Sequence, residues 1–369
     1  MYSRALLRLN GGQSAHLRGN AMRRMRPATT ICGLAALSLA ALGLTLGQAV
    51  AQEKTFDLKL SHWVPPSHPL QKSMEEWGAS IEHDSGGTIH YKVFPAQQLG
   101  KAFDHYDMAR DGIADVAYVS PGYQPGRFPI FDASNLPFMV SNAKAGSRAI
   151  DEWYRQYAAT EMKDVHYCFA FTHDPGTFHS RSKKIMVPAD IKGMKIRPAH
   201  AIIASLVTEL GGNNVQAAAP EVRDIIERGV ADAVTFPWGS IPLFGIDKVT
   251  KYHMEAALYT TGFVWIMNKN TYAAMSPRQQ KVIDDHCNGQ WAERVAAPWA
   301  DFEHAGIAKL KAEPGHEVYP ISDAQLAQWK AAAGPVIKTW ADGVKKRGGD
   351  PDAALNSLKA DLAKANSGY

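Results

Sequence analysis

Apolar and polar residues alternate through FDLKLSHW (56–63), the spacing of an opening strand. VPPSHP breaks that pattern. The next stretch, LQKSMEEWGASIEHDSGG, brings Leu70, Met74, Trp77 and Ile81 to helical spacing, and Gly86-Gly87 closes the helix. TIHYKVFP (88–95) predicts a second strand. HYDMARDGIADVAYVSP predicts a helix followed by a strand at Val116–Val119. Strand–helix–strand units of this size imply an α/β fold with buried parallel strands.

The pattern then recurs. HYCFAFT (166–172) predicts a strand, Pro188-Ala189-Asp190 a helix start, and GMKIRP a strand running into Arg197. AIIASLVTELGG is amphipathic and ends on glycines. APEVRDIIERGVADAVTFP repeats the helix–Gly–Asp–strand layout of the first block: Arg228-Gly229-Val230-Ala231-Asp232 matches Arg110-Asp111-Gly112-Ile113-Ala114-Asp115 in part. This short match hints at two similar lobes. GFVWIMNK (262–269) is a long apolar strand, and beyond Pro277 the pattern is almost entirely helical, with breaks at Pro314-Gly315 and Gly348-Gly349.

The amino terminus changes how charge is read. Arg4, Arg8, Arg18, Arg23, Arg24 and Arg26 precede an apolar run at 31–47, and no acidic residue occurs before Glu53. Ala49-Val50-Ala51 fits the small-x-small cleavage rule, which predicts a signal peptide over 1–51 and a mature chain from Gln52. An uncleaved membrane anchor is the rival reading of the same run. Without the leader, 34 basic residues face 36 acidic ones, for a net charge of −2. The basic excess therefore belongs to export and gives no ground for nucleic-acid binding. Cys168 and Cys287 remain in an exported chain of 318 residues, where a disulfide is permitted but not fixed by sequence.

Catalytic and metal motifs are sparse. HDSGG (83–87) resembles a protease nucleophile segment, but it closes a helix and no partner histidine motif accompanies it. The 14 histidines form neither HExxH nor a tight Cys/His cluster, so no metal or other cofactor is expected. No glycine-rich phosphate loop follows a strand. Trp63, Phe94, Tyr118, Phe236, Trp238 and Trp265 lie in or just after predicted strands. In open α/β sheets that is where ligands sit, although strand-end aromatics also build cores. Arg197 ends an apolar strand, and Pro198 fixes the chain's exit towards a helix. A guanidinium there can hold a carboxylate through two parallel hydrogen bonds, worth roughly 1.5–3 kcal/mol net.

SHWVPPSHPLQ, FPAQQLGKAFDHYDMARDGIADVAYVSPGY, RFPIFDASNLPFM, VPADIKGMKIRP and APEVRDIIERGVADAV together resemble the successive signatures of TRAP-transporter substrate-binding proteins of the DctP type, over about 56–290. The resemblance implies a two-lobe periplasmic binding protein fold (type II-like) with a helical C-terminal region. It implies lobes at 52–174 plus 262–300 and at 175–261 plus 301–369. It also implies a periplasmic receptor, not an enzyme, that closes over a small organic acid and delivers it to the small and large TRAP permease subunits. Whether the receptor is a monomer or a dimer is left open. A periplasmic hydrolase is the competing class, but the sequence offers no nucleophile–base pair for it.

By the resemblance, the family's carboxylate-binding arginine falls on Arg197. Polar contacts of the sialic-acid-binding members correspond to Thr177, Phe236 and Trp63 here. That exchange would leave a sugar acid's hydroxyls unpaired, which is costly. The expected ligand is an aromatic or apolar monocarboxylate anchored by Arg197 and stacked on Trp63, Phe236 or Trp238, with Tyr118 nearby. A dicarboxylate or keto acid is the alternative, its far end held by His62, Gln97, Gln98 or Ser120.

Overall fold

The computed structural model describes residues 53–369. The expected signal peptide, its cleavage site and its anchor alternative lie outside the described residues. Among the described residues no helix is long and apolar enough to cross a membrane.

Among the described residues eleven strands form two sheets: β1 (Phe56–Ser61), β2 (Ile89–Phe94), β3 (Val116–Val119), β4 (His166–Thr172), β5 (Thr177–Ser180), β6 (Lys195–Arg197), β7 (Asn213–Asn214), β8 (Ala233–Phe236), β9 (Tyr252–Glu255), β10 (Gly262–Met267) and β11 (Glu317–Pro320). The first sheet has the order β2-β1-β3-β10-β4 and the second the order β11-β9-β5-β8-β6-β7. β1 runs parallel to both β2 and β3, and β6 runs parallel to both β7 and β8. β10 returns antiparallel between β3 and β4. Every residue of β3, β8 and β10 is buried, as expected of central strands whose largely apolar runs are interrupted only by Thr235.

The repeated Gly-x-Ala-Asp segments do the same job in both sheets. Gly112 and Gly229 take φ of 77° and 71°, the left-handed turn that ends each preceding helix. Asp115 then accepts from the backbone N–H of Lys59 on β1, and Asp232 from that of Lys195 on β6, each at 2.9 Å. Each lysine ammonium in turn donates to the glycine carbonyl of its turn, at 3.2 Å for Lys59 and 2.6 Å for Lys195. These contacts fix two equivalent parallel strand pairs with their carboxyl ends free to build a site.

The tail departs from the expected boundaries. A break at 300/301 would cut the continuous helix Gly289–Ala312, which packs on the helix Ala143–Glu161 and on β4 but also touches β11 of the second sheet. The helix Pro351–Lys364 packs on Ala143–Glu161, beside the first sheet. In the long helix Asp323–Lys346, the Trp329 indole donates to the Met186 carbonyl (3.1 Å) and the Trp340 indole to the Pro129 carbonyl (2.7 Å), so one helix is pinned to segments that flank both sheets. The helical periodicity of this region also hides one strand, β11, just after the Pro314-Gly315 break.

Cys168 and Cys287 are joined, with Cα atoms 4.3 Å apart, which settles the pairing that sequence left open. The bond ties β4 to the turn ahead of the helix Gly289–Ala312 across a separation of 119 residues. Closing a loop this long restricts the unfolded chain strongly. Reduction, or replacement of both cysteines by alanine, is expected to lower unfolding free energy by about 2–4 kcal/mol. Urea titrations with and without reductant measure this, and coincident midpoints would contradict it.

Candidate functional site

β6 delivers Arg197 to the carboxyl edge of the second sheet, where its side chain is almost wholly buried at 2 % exposure. Pro198 turns the chain, and His200 caps the next helix, Ala201–Glu209. The guanidinium is held in a fixed orientation. Nε donates to the Ala217 carbonyl (2.9 Å), Nη2 to the Tyr123 hydroxyl (3.0 Å), and Nη1 reaches towards the Thr235 carbonyl at 3.5 Å. Its carbon lies 5.6 Å from the centre of the Phe236 ring. All these protein partners are neutral, and no carboxylate among the described residues pairs with it. A buried cation without a counter-charge is costly, so this position favours an incoming anion.

Arg197 borders a narrow cavity whose free volume is about 40 Å³, well below that of an open small-molecule site, so its walls must part to admit a ligand. Its walls come from the ends of parallel strands: Trp63 and Val64 after β1, Ser120 after β3, and Phe236 at the end of β8. Two aromatic tracks lead away from Arg197. On one side Phe236 contacts Phe244 (5.4 Å between centroids), which contacts His68 (6.4 Å). On the other, Tyr123 contacts Trp63 (5.9 Å), then Phe263 (6.5 Å), Trp299 (5.3 Å) and again His68 (4.9 Å). The result is an aromatic ring around a slot, with a cation at one end and an imidazole at the other.

Of the residues singled out from sequence, Arg197, Trp63, Phe236 and Ser120 line this cavity. The others do not. His62 sits next to Trp63 on an extended chain, where successive side chains diverge, and bonds to Gln71 Oε1 at 2.6 Å. Tyr118 lies behind Trp63, stacked on it at 5.0 Å. Trp238 packs edge-on against His179 at 5.1 Å, in a separate crevice with Glu303 and His304. Thr177 is buried in β5, opposite Phe236 in the ladder. Gln97 accepts from the Ala102 N–H (2.9 Å) and faces an outer groove, while Gln98 is exposed. Sequence reasoning missed His68, Tyr123, His173, Tyr259, Phe263 and Trp299, all in the lining. The only available signal was at His68, where a polar residue before Pro69 reads as a helix N-cap.

Glu303 braces the site from behind. Buried in the helix Gly289–Ala312, it accepts from the Trp299 indole (2.6 Å), the Ser240 N–H (2.9 Å) and the Ser240 hydroxyl. Burial pushes its pKa up to about 7 despite these bonds. Beside it the backbones nearly touch: a Cβ on Gly306 would sit 2.2 Å from the Gly239 nitrogen, and one on Gly239 would sit 2.3 Å from the Phe302 carbonyl oxygen. Only glycine permits that crossing. Gly306→Ala should therefore destabilise the protein by about 1–3 kcal/mol, the range for overpacking, although alanine gains about 1 kcal/mol in helix propensity. A melting curve at or above the wild-type midpoint would show that the crossing yields.

The family profile for bacterial extracellular solute-binding protein, family 7 (DctP), matches residues 60–342. The chain belongs to this family. A TRAP solute-binding protein from Rhodoferax ferrireducens, solved in complex with copurified benzoate, is similar at 32 % identity and TM-score 0.79, over 84 % of this chain and 98 % of that one. Another, from Bordetella bronchiseptica with bound (R)- and (S)-mandelate, is similar at 28 % identity and TM-score 0.78, over 84 % and 99 %. The outer membrane transporter protein TsaT of Comamonas testosteroni is 24 % identical over 85 % of this chain and 94 % of its own.

The histidines of this family 7 solute-binding protein make its stability depend on pH. Burial lowers His62 and His173 to about 4, His179 and His200 to about 3, and His253 to about 2. The unfolded chain binds these protons near pH 6.5 while the folded chain refuses them, so stability falls as pH drops below about 6.5. Burial works in the opposite sense on Glu303 and Asp132, both raised to about 7, which favours the folded state as pH falls from 7 towards 4.5. Burial also lowers His68, His105 and His166 and raises Asp151, Glu161 and Asp174, and with eight histidines set against five acids the melting temperature should decline from pH 6.5 to 4.5. A flat profile by scanning fluorimetry would refute this balance.

Proposed function

We propose that the protein is an exported receptor that captures a small aromatic monocarboxylate in the Arg197 cavity and hands it to the small and large membrane subunits of a TRAP transporter. The observation that carries the reading is a buried, oriented guanidinium with no counter-charge among the described residues, opening onto a slot walled by aromatic rings. The carboxylate would take the free donor capacity of Arg197, and the flat body would lie between the Phe236 side and the Trp63 side. A sugar acid would need a partner for each of several hydroxyls, and Phe236, Phe244, Phe263 and Trp299 offer none, which leaves chiefly Ser120, Tyr259 and the Trp63 indole N–H. Benzoate and mandelate in the two similar structures support the same chemistry. The two sheets serve as the two lobes, with residues near 173–176 and 259–262 as crossover strands between them and closure as a hinge motion.

Scanning fluorimetry with benzoate, mandelate, succinate and glucuronate tests this reading. Benzoate or mandelate should raise the melting temperature by mass action, whereas glucuronate should not. Arg197→Ala should weaken benzoate binding roughly 10- to 100-fold, the loss expected for hydrogen bonds to a charged group. Its ligand-free melting temperature should change little, since relief of a buried charge offsets the lost bonds to Ala217 and Tyr123. Stabilisation by glucuronate alone, or unchanged benzoate binding in Arg197→Ala, would rule the reading out.

A further inference from the structure

Besides Arg197, the cavity wall carries buried polar atoms without partners among the described residues at Trp63 Nε1, Ser120 Oγ and Tyr259 Oη, and a further polar group at His68. His68 is 2 % exposed, and its Nδ1 accepts the N–H of Leu70 at 3.1 Å, capping the helix Pro69–Asp84. A ring nitrogen that accepts a backbone N–H carries no proton, so in the neutral imidazole the proton sits on Nε2. That Nε2–H has no hydrogen-bond partner among the described residues. The aromatic neighbours Phe244, Trp299 and Phe302, at 6.4, 4.9 and 6.4 Å, offer it no acceptor oxygen. Burial holds the ring neutral, well below the ordinary histidine pKa, with His62 and His173 adding repulsion. The other cavity histidine differs. His173 is satisfied on both nitrogens, by the Asp174 carbonyl (2.5 Å) and the Thr261 N–H (3.2 Å).

We propose that His68 is a specificity-determining residue whose Nε2–H donates to an oxygen on the far edge of the ligand's ring, so that the preferred ligands are ring-oxygenated aromatic acids such as hydroxybenzoates. This rests on the aromatic-acid reading above and refines it. Both aromatic tracks begin at Arg197 and end at His68, so a ring whose carboxylate meets Arg197 directs its opposite edge towards the imidazole. A site built to give a hydrogen bond discriminates against an analogue that cannot accept it, because the buried donor is then left unpaired. The bare ring of benzoate leaves His68 in that state; a meta or para oxygen does not.

Isothermal titration of the mature protein with benzoate, 3-hydroxybenzoate and 4-hydroxybenzoate provides the test, in wild type and in His68→Asn. Asparagine is a good N-cap and keeps an acceptor for the Leu70 N–H, but it is too short to donate across the slot. At least one hydroxybenzoate should bind wild type about 3- to 10-fold more tightly than benzoate, and His68→Asn should abolish that preference. Circular dichroism melts of the variant separate loss of the cap from loss of the donor. Equal affinity of wild type for all three acids, or a preference that survives in His68→Asn, overturns the role of His68 and leaves the aromatic-acid reading standing. Failure of all three acids to bind wild type overturns both.

Discussion

A guanidinium buried without a carboxylate sets the terms for everything around it. Arg197 donates to a carbonyl and a phenol, which orient it but do not cancel its charge. In a low-dielectric pocket that charge remains available to whatever anion enters, and the anion meets a donor already in position. The surrounding rings sharpen the effect by excluding competing dipoles. They also explain why the site is small: Trp63, Phe236 and Phe263 fill volume that a polar cavity would leave to water.

The scaffold places this charge by repeating one device. A helix ends on a left-handed glycine, an aspartate locks the next strand to its parallel neighbour, and the strand's far end points at the cavity. Lys59, Gly112 and Asp115 do this for β1 and β3, and Lys195, Gly229 and Asp232 do it for β6 and β8. Trp63 and Ser120 are thus products of one copy, and Arg197 and Phe236 of the other. The repeat is a means of aiming four strand ends at one point from two sides.

Much of this was legible in the sequence because strand ends, turn glycines and a lone arginine before proline are local signals. Arg197, Trp63 and Phe236 follow from that logic, while Ser120 entered only as a polar partner for the far end of a dicarboxylate or keto acid. Where it failed, the cause was spatial. His62 and Trp63 are neighbours in sequence, but extended backbone sends them to different surroundings. Tyr118 lies on β3 just before Ser120, yet it sits one layer deeper, under Trp63. Trp299 reaches the cavity from a helix more than a hundred residues after the first strands, and its periodicity reads only as packing. The Cys168–Cys287 pairing likewise needs two segments brought together by the fold. His68 was visible as a cap, but its second nitrogen gains meaning only when Phe244 and Trp299 close around it.

The contact between Gly239 and Gly306 has a mechanical meaning. Side chains at most interfaces can change rotamer and absorb sliding, but here main chain rests directly on main chain. Such a joint tolerates swivelling far better than displacement, like a pivot pin with no play. Lifting the segment after β8 away from the long helix would also strip Glu303 of both bonds to Ser240 at one stroke. Rotation at this contact keeps them, so the two glycines hold the segment after β8 against the helix that carries Trp299.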